Sequence, residues 1–227
     1  MTPADLTEDR ARALALTPVS RETSDRLDAF VATFLEWQST TNLVAASTIP
    51  TLWTRHIADS LQLLDLIPPN ATTIVDLGSG GGFPGLILAC ALADRPDIKL
   101  HLVEANSKKA SFLREARRVT GATAEIHAIR IDKFAKTFHG KVDVVTARAL
   151  APLTDLITYS ERWLNTGTLG LFLKGQHVVS ELSDATKYWA IQSSLVQSRT
   201  DKHGRIVCIK SLREAARADN PDHNTKA

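Results

Sequence analysis

The chain has 227 residues, of which 44% are hydrophobic and 23% charged; 27 Lys and Arg against 25 Asp and Glu leave a formal net charge of +2. This balance excludes a disordered, collagen-like or disulfide-stapled chain and suits one large domain, or one domain with an extension, burying its own core. The two cysteines, Cys90 and Cys208, lie far apart without metal or CxxC spacing, and the first twenty residues are charged rather than apolar. A reducing compartment and a cytoplasmic location are therefore expected, with no export signal and no membrane span.

Taken in order, residues 1–19 have weak apolar patterning and read as a partly ordered lead-in. Leu27, Phe30, Val31, Phe34 and Leu35 recur at three and four, predicting an amphipathic helix over 20–38. A second helix is expected from Ser47 or Thr48 to Leu64, with Pro50 in its first turn. Pro68-Pro69-Asn70 closes this helical extension, residues 1–70. A core follows over 71–213, and a polar tail, frayed from 211 onward, completes the chain.

Within the core the period changes. Strands are predicted at 73–77, 99–104, 124–129, 142–146, 168–174, 189–196 and 205–210. Helices are predicted at 85–93, 107–120, 132–138, 152–163 and 177–186. Alternation of strand and helix implies right-handed crossovers and a mainly parallel sheet covered on both faces. Only a polar loop separates the last two strands, so they are expected to form an antiparallel pair at one edge.

The densest signal is Asp76-Leu77-Gly78-Ser79-Gly80-Gly81-Gly82-Phe83-Pro84-Gly85, with five glycines in eight positions between a strand and a helix. Glycine serves where backbone takes positive φ or approaches a ligand closely. A phosphate-binding P-loop is excluded, because Leu86 and Ile87 follow where Lys and Ser/Thr are needed. Gly80, Gly82 and Gly85 fit the GxGxxG of dinucleotide folds. The S-adenosylmethionine loop of Rossmann-like class I methyltransferases fits as well, with Asp76 two positions before Gly78. A tight turn without ligand is the remaining reading. Glu104, at the end of the second strand, stands where a carboxylate accepts hydrogen bonds from ribose hydroxyls, a feature common to both cofactor classes.

Asn42-Leu43, Arg55-His56-Ile57-x-Asp59-Ser60, the Asp76–Gly85 loop and Lys108-Lys109 with Phe112-Leu113 stand in one order with Arg130 before Asp132, Ala147-Arg148-Ala149 and Leu173-Lys174-Gly175. This ordered set, over about residues 30 to 210, resembles the bacterial RsmG (GidB) family. The resemblance implies an α/β class I methyltransferase fold with a seven-stranded sheet. It further implies S-adenosyl-L-methionine as cofactor and guanine N7 of 16S ribosomal RNA, free or in a small-subunit assembly particle, as substrate. By position it assigns cofactor contacts to Gly78 and Phe83, to Ile131 and Asp132, and to Arg148; Gly80 and Glu104 join them from the loop and ribose arguments.

The chemistry agrees with what the chain lacks. Carbon methylation of a pyrimidine needs a cysteine nucleophile, and neither cysteine lies at a strand's carboxyl end near the loop. Ala147-Arg148-Ala149-Leu150 replaces the Asn/Asp-Pro-Pro-aromatic turn of amino methylation. Guanine N7 attacks through an in-plane lone pair without losing a proton, so no general base is required, and proximity and orientation suffice.

Substrate-binding candidates are Arg55 and His56, on the helix expected over the cofactor mouth, and Lys174, expected at guanine O6 or an adjacent phosphate. Arg55 and Asp59, four apart, are also placed for an intrahelical ion pair. Lys108, Lys109, Arg114, Arg117 and Arg118 against Glu115 make the 107–120 helix a local basic face for a phosphate backbone. With a net charge of only +2, affinity must come from such local cations, which favours a structured RNA site. The histidines have no ligand spacing, so no metal is expected, and a monomer is. A nicotinamide-dependent oxidoreductase and a non-catalytic RNA-binding module are the competing readings; Asp76 and Phe83-Pro84 favour the methyl donor over nicotinamide.

Overall fold

The computed structural model describes residues 3–214. Seven strands form one sheet: β1 (Thr73–Leu77), β2 (Lys99–Val103), β3 (Ala124–His127), β4 (Val144–Arg148), β5 (Leu169–Lys174), β6 (Trp189–Gln197) and β7 (Arg205–Glu214). Their order is β3-β2-β1-β4-β5-β7-β6. The first five pair in parallel, and β7 runs antiparallel between β5 and β6. The last two strands thus form the expected antiparallel pair, with β6 as the edge. Strand order reverses between β1 and β4, and in open α/β sheets ligands bind beyond the carboxyl ends at such a point.

Strand alternation divides the core into two layers. Ile74, Leu100, Leu102 and Val144 face one side with Leu27, Phe30 and Phe34 of α2 (Arg21–Gln38), Leu86 of α4 (Gly85–Ala91) and Phe112 of α5 (Ser107–Thr120). Val75, Leu77, Val145 and Ala147 face the other, against Phe134 of α6 (Ile131–Thr137), Leu156 and Ile157 of α7 (Leu153–Leu164) and Val178 of α8 (Val178–Ala185). The Phe30 and Phe34 rings lie 5.6 and 5.7 Å from Phe83 and 6.1 and 5.9 Å from Phe112. Residues of the helical extension therefore share the sheet's own core.

Two expectations at the chain ends need correction. The lead-in is a helix, α1 (Pro3–Leu16), held by a buried charge that periodicity does not reveal. Asp9, fully buried, accepts from the amides of Trp53 (2.8 Å) and Thr54 (3.1 Å) and from the Thr54 hydroxyl (2.5 Å). Arg10 grips both carboxylate oxygens of Asp28 at 2.7 Å, which ties α1 to α2. At the other end, residues 211–214 continue β7 instead of fraying, with Leu212 opposite Ile191. The rest of the expected tail lies outside the described residues.

The expected 47–64 helix is also not regular. Ala46–Thr51 is a 3-10 turn around Pro50, Trp53–Ala58 a π turn, α3 only Asp59–Leu61, and Gln62–Leu66 again 3-10. Asp9 anchors the start of the π turn, whose extra residue resets the facing of His56 and Asp59. No helix among the described residues is long and apolar enough to cross a membrane.

Candidate functional site

A cleft of about 1360 Å³ opens beyond the carboxyl ends of β1, β2, β4 and β5. Gly78, Gly80, Phe83, Glu104, Ile131, Asp132 and Arg148 line it, as do Arg55, His56 and Lys174. Arg55 and Lys174, 119 positions apart in sequence, thus share one cavity.

The floor is the glycine loop. Gly78, Gly80 and Gly82 have φ of 68°, 54° and 92°, in the left-handed region where side chains are strained. A Cβ on Gly85 would lie 2.5 Å from Asp76 Oδ2, so α4 starts directly on that carboxylate. Asp76 accepts from the Gly85 amide (3.1 Å) and the Thr146 hydroxyl (2.7 Å) and is 1% exposed. Burial pushes its carboxyl up to about 6, although both donors favour the charged form. Asp76 therefore shapes the loop from below and does not face the cleft. Leu150 lies across Gly78, with Ala149 at φ 50°, an uncommon conformation for a residue with a side chain.

Glu104 stands at the cleft wall. Its carboxylate accepts from the Gly80 amide at 2.8 Å and the Asn106 amide at 2.7 Å. Two backbone donors thus fix its direction beside the loop, and it remains part-exposed to the cavity. Ile131 opens α6 on the same side, and the Asp132 carboxylate is held by Arg130 Nε at 3.0 Å.

On the opposite wall Arg148 lies inward, toward the π turn. Its guanidinium donates to the Arg55 carbonyl (2.9 Å), to Asp59 Oδ2 (3.3 Å) and to His56 Nδ1, and sits 5.2 Å from the Phe83 ring centre. Burial pushes this guanidinium down from its ordinary range, and the Asp59 charge opposes that. Arginine has no acceptor, so His56 Nδ1 accepts and its proton resides on Nε2. Nε2 then donates to Thr48 Oγ1 (2.8 Å), whose own proton goes to the Ala45 carbonyl (2.8 Å). Burial, with the charges of Arg148 and Arg55, lowers the His56 pKa to about 3, so the ring is neutral. Asp59 Oδ1 accepts from Gln62 (2.7 Å) and Thr200 (2.8 Å), linking the π turn to the β6–β7 loop.

The sequence-derived candidates separate in this geometry. Asp59 pairs with Arg148 of β4 and not with Arg55, so the alternative intrahelical ion pair does not form, and the Arg55 side chain is exposed on the cleft without an ion-pair partner among the described residues. His56 is 5% exposed with both ring nitrogens engaged, which makes it a brace. Lys174 is paired as well: Nζ lies 2.6 Å from Glu181 and donates to the Ala151 carbonyl at 3.0 Å. Its side chain is 11% exposed, so where a free cation was expected for a base or phosphate, Lys174 joins β5 to α8 and to the loop before α7. On α5, Arg118 pairs with Glu115 and Arg117 donates to the Ala124 carbonyl, which leaves Lys108, Lys109 and Arg114 as the unpaired cations there among the described residues. Sequence reading missed Thr48, Asp59 as an anchor, and Thr200, whose partners lie far along the chain.

Comparison with known proteins agrees with this architecture. The O-methyltransferase from Bacillus cereus in complex with SAH superposes with a TM-score of 0.56 at 15% identity, covering 80% of this chain and 90% of that one. The ribosomal protein L11 methylase from Lactobacillus delbrueckii subsp. bulgaricus gives 0.54 at 17%, covering 69% and 78%. At such identities the likeness shows the fold. Closer relatives are the ribosomal RNA small subunit methyltransferases G of Bradyrhizobium sp. strain ORS 278, 59% identical over 92% of this chain and 93% of that protein, and of strain BTAi1, 60% identical over 90% and 91%. A family model described as rRNA small subunit methyltransferase G matches residues 23–210. With a match of that extent, the chain belongs to the GidB family, rRNA small subunit methyltransferase G.

Proposed function

We propose that the chain transfers a methyl group from S-adenosyl-L-methionine to N7 of a guanine in small-subunit ribosomal RNA. The observation that carries this reading is the shared cleft: the glycine loop forms its floor, the fixed Glu104 carboxylate stands beside the loop, and exposed Arg55 lines the same cavity.

The residues suit the cofactor. Glu104, held by two amides, directs its remaining lone pairs toward the cavity to accept from ribose hydroxyls. Gly78 and Gly80 keep the loop free of side chains where the donor lies, and Ile131 and Asp132 border the adenine side. When bound, S-adenosyl-L-methionine supplies an electrophilic methyl group on a sulfonium. The chain's task is then orientation, because guanine N7 carries its own lone pair and loses no proton. The local groups fit that demand: His56 has no free nitrogen, Asp59 is tied to Arg148, and Lys174 is tied to Glu181. A reaction needing a general base would find these three groups already engaged. Arg55, with Lys108, Lys109 and Arg114 on α5, supplies cations for the phosphate backbone.

Calorimetric titration with S-adenosylhomocysteine and with NAD tests the cofactor half. Binding of the first and not the second is expected, with Glu104→Gln weakening it by about tenfold, the order of one charge-assisted hydrogen bond. Binding of NAD alone would return the oxidoreductase reading.

A further inference from the structure

One side-chain cluster on the sheet takes no part in the cleft. β2 and β3 pair in parallel with His101 opposite Glu125 and Val103 opposite His127. Alternation puts His101, Glu125 and His127 on one face, beneath Phe134 and Phe138, whose rings lie 4.7 Å from those of His127 and His101 respectively. His101 Nδ1 lies 3.0 Å from His127 Nε2; His101 Nδ1 is 3.5 Å from Glu125 Oε2, and His127 Nε2 is 3.7 Å from Glu125 Oε1. The sequence hid this group because its ligand spacing runs across two strands.

These atoms stand close enough together for one ion to draw on all three side chains. A tetrahedral zinc ion with bonds of about 2.0–2.1 Å holds its ligand atoms about 3.3–3.4 Å apart. The nitrogen–nitrogen separation of 3.0 Å lies just inside that value, and the 3.5 and 3.7 Å separations, each to a different oxygen of Glu125, lie just outside it. The two rings share one hydrogen bond at 3.0 Å, and the Glu125 carboxylate lies too far from either ring nitrogen to make a good one, so its lone pairs face the rings without a proton between them. Burial lowers the pKa of both rings, with His127 and then Lys99 adding to this at His101 and Glu125 opposing it at both. Neutral imidazole is the form that binds a metal. His101 and Glu125 border a cavity of about 390 Å³, lined also by Lys99 and Arg117, from which an ion can approach these two side chains.

We propose that His101, Glu125 and His127 form a divalent-cation site of the zinc class that clamps edge strand β3 onto β2. On binding, the proton between the facing nitrogens moves to an outer ring nitrogen, and each facing nitrogen gives its lone pair to the ion. The clamp acts close to the cleft: the amides of Glu104 and Ile129 both donate to the His127 carbonyl at 3.0 Å. The ion thereby fixes the strand end from which Glu104 and residues 130–132 reach the cleft.

The test is zinc chloride titrated into the metal-stripped full chain in competition with a chromophoric chelator, alongside thermal unfolding. One ion per chain is expected, in the micromolar range or tighter, with a raised Tm. Glu125→Gln, at an exposed position that preserves the fold, and His127→Gln are each expected to weaken binding by about 100-fold and to abolish the Tm rise. Wild-type binding that is absent or not one to one, or equal binding by both variants, overturns the proposal. Neither readout uses S-adenosyl-L-methionine, so a failure here leaves the cofactor assignment standing.

Discussion

Replacing Arg148 with Met removes the cation that joins the carboxyl end of β4 to the π turn. The guanidinium and the Asp59 carboxylate are 14% and 17% exposed, so both are largely out of water. Truncation leaves the Arg55 carbonyl, His56 Nδ1 and Asp59 Oδ2 without their donor. Removing one member of a buried pair costs about 3–5 kcal/mol. Asp59 keeps Gln62 and Thr200 on its other oxygen and some solvent contact, which places the loss at the lower end, about 3 kcal/mol. Urea unfolding of Arg148→Met, Asp59→Asn and the double variant gives the cycle. The double variant should cost about 1–2 kcal/mol less than the sum of the singles. The S-adenosylhomocysteine affinity of Arg148→Met should fall too, since Phe83 loses the cation over its ring. A cost below about 1 kcal/mol, or strict additivity with Asp59→Asn, would refute the view of Arg148 as the keystone of this wall.

Acidification tests His56. Its folded pKa of about 3, against an ordinary 6.5, means the unfolded chain binds more protons between those values. Its contribution is therefore complete above about 6.5 and is lost as pH falls toward 3. Asp76, raised from 3.8 to about 6, works oppositely, because the folded chain binds more protons across that range. His56→Gln should lower the slope of unfolding free energy against pH, between pH 6 and 4, by about 1 kcal/mol per unit, and an unchanged slope would disprove the buried neutral ring. Gly85→Ala places a Cβ 2.5 Å from Asp76 Oδ2 and 2.7 Å from its Cβ, and should cost about 2–3 kcal/mol. Gly121→Ala, at φ 65° with open space around it, should cost about 1 kcal/mol; equal costs in urea unfolding would contradict the packing argument. Arg55→Ala should weaken RNA binding, reduce the salt slope by about 1 and leave S-adenosylhomocysteine affinity unchanged, whereas an unaltered salt slope would remove Arg55 from the phosphate track.

What sequence made legible follows from the range of the interactions. The strands were readable because buried parallel strands are apolar runs bounded by turn residues, and β1 and β2 begin where the pattern predicts, at Thr73 and Lys99. The loop was readable because its glycines answer to local backbone geometry. The π turn was not, since it depends on Asp9 meeting the Trp53 and Thr54 amides 44 and 45 residues away. Lys174 reads as a free strand-end cation until the chain turns through α8 and brings Glu181 to it. Arg55 and Asp59 have helical ion-pair spacing, yet Asp59 goes to Arg148, because a largely buried guanidinium gains more from a carboxylate than an exposed one does. His101 and His127 stand 26 positions apart, and only strand pairing makes them neighbours.

The most direct measurement incubates the purified chain with S-adenosyl-L-methionine labelled in its methyl group and with small-subunit ribosomal RNA or particles, then cleaves the RNA chemically at N7-methylguanine. Label in the RNA and cleavage at a guanine are expected, both absent without enzyme and both strongly reduced by Glu104→Gln. Label on another base or another guanine atom, or cofactor binding without transfer to either substrate, would contradict the proposed reaction.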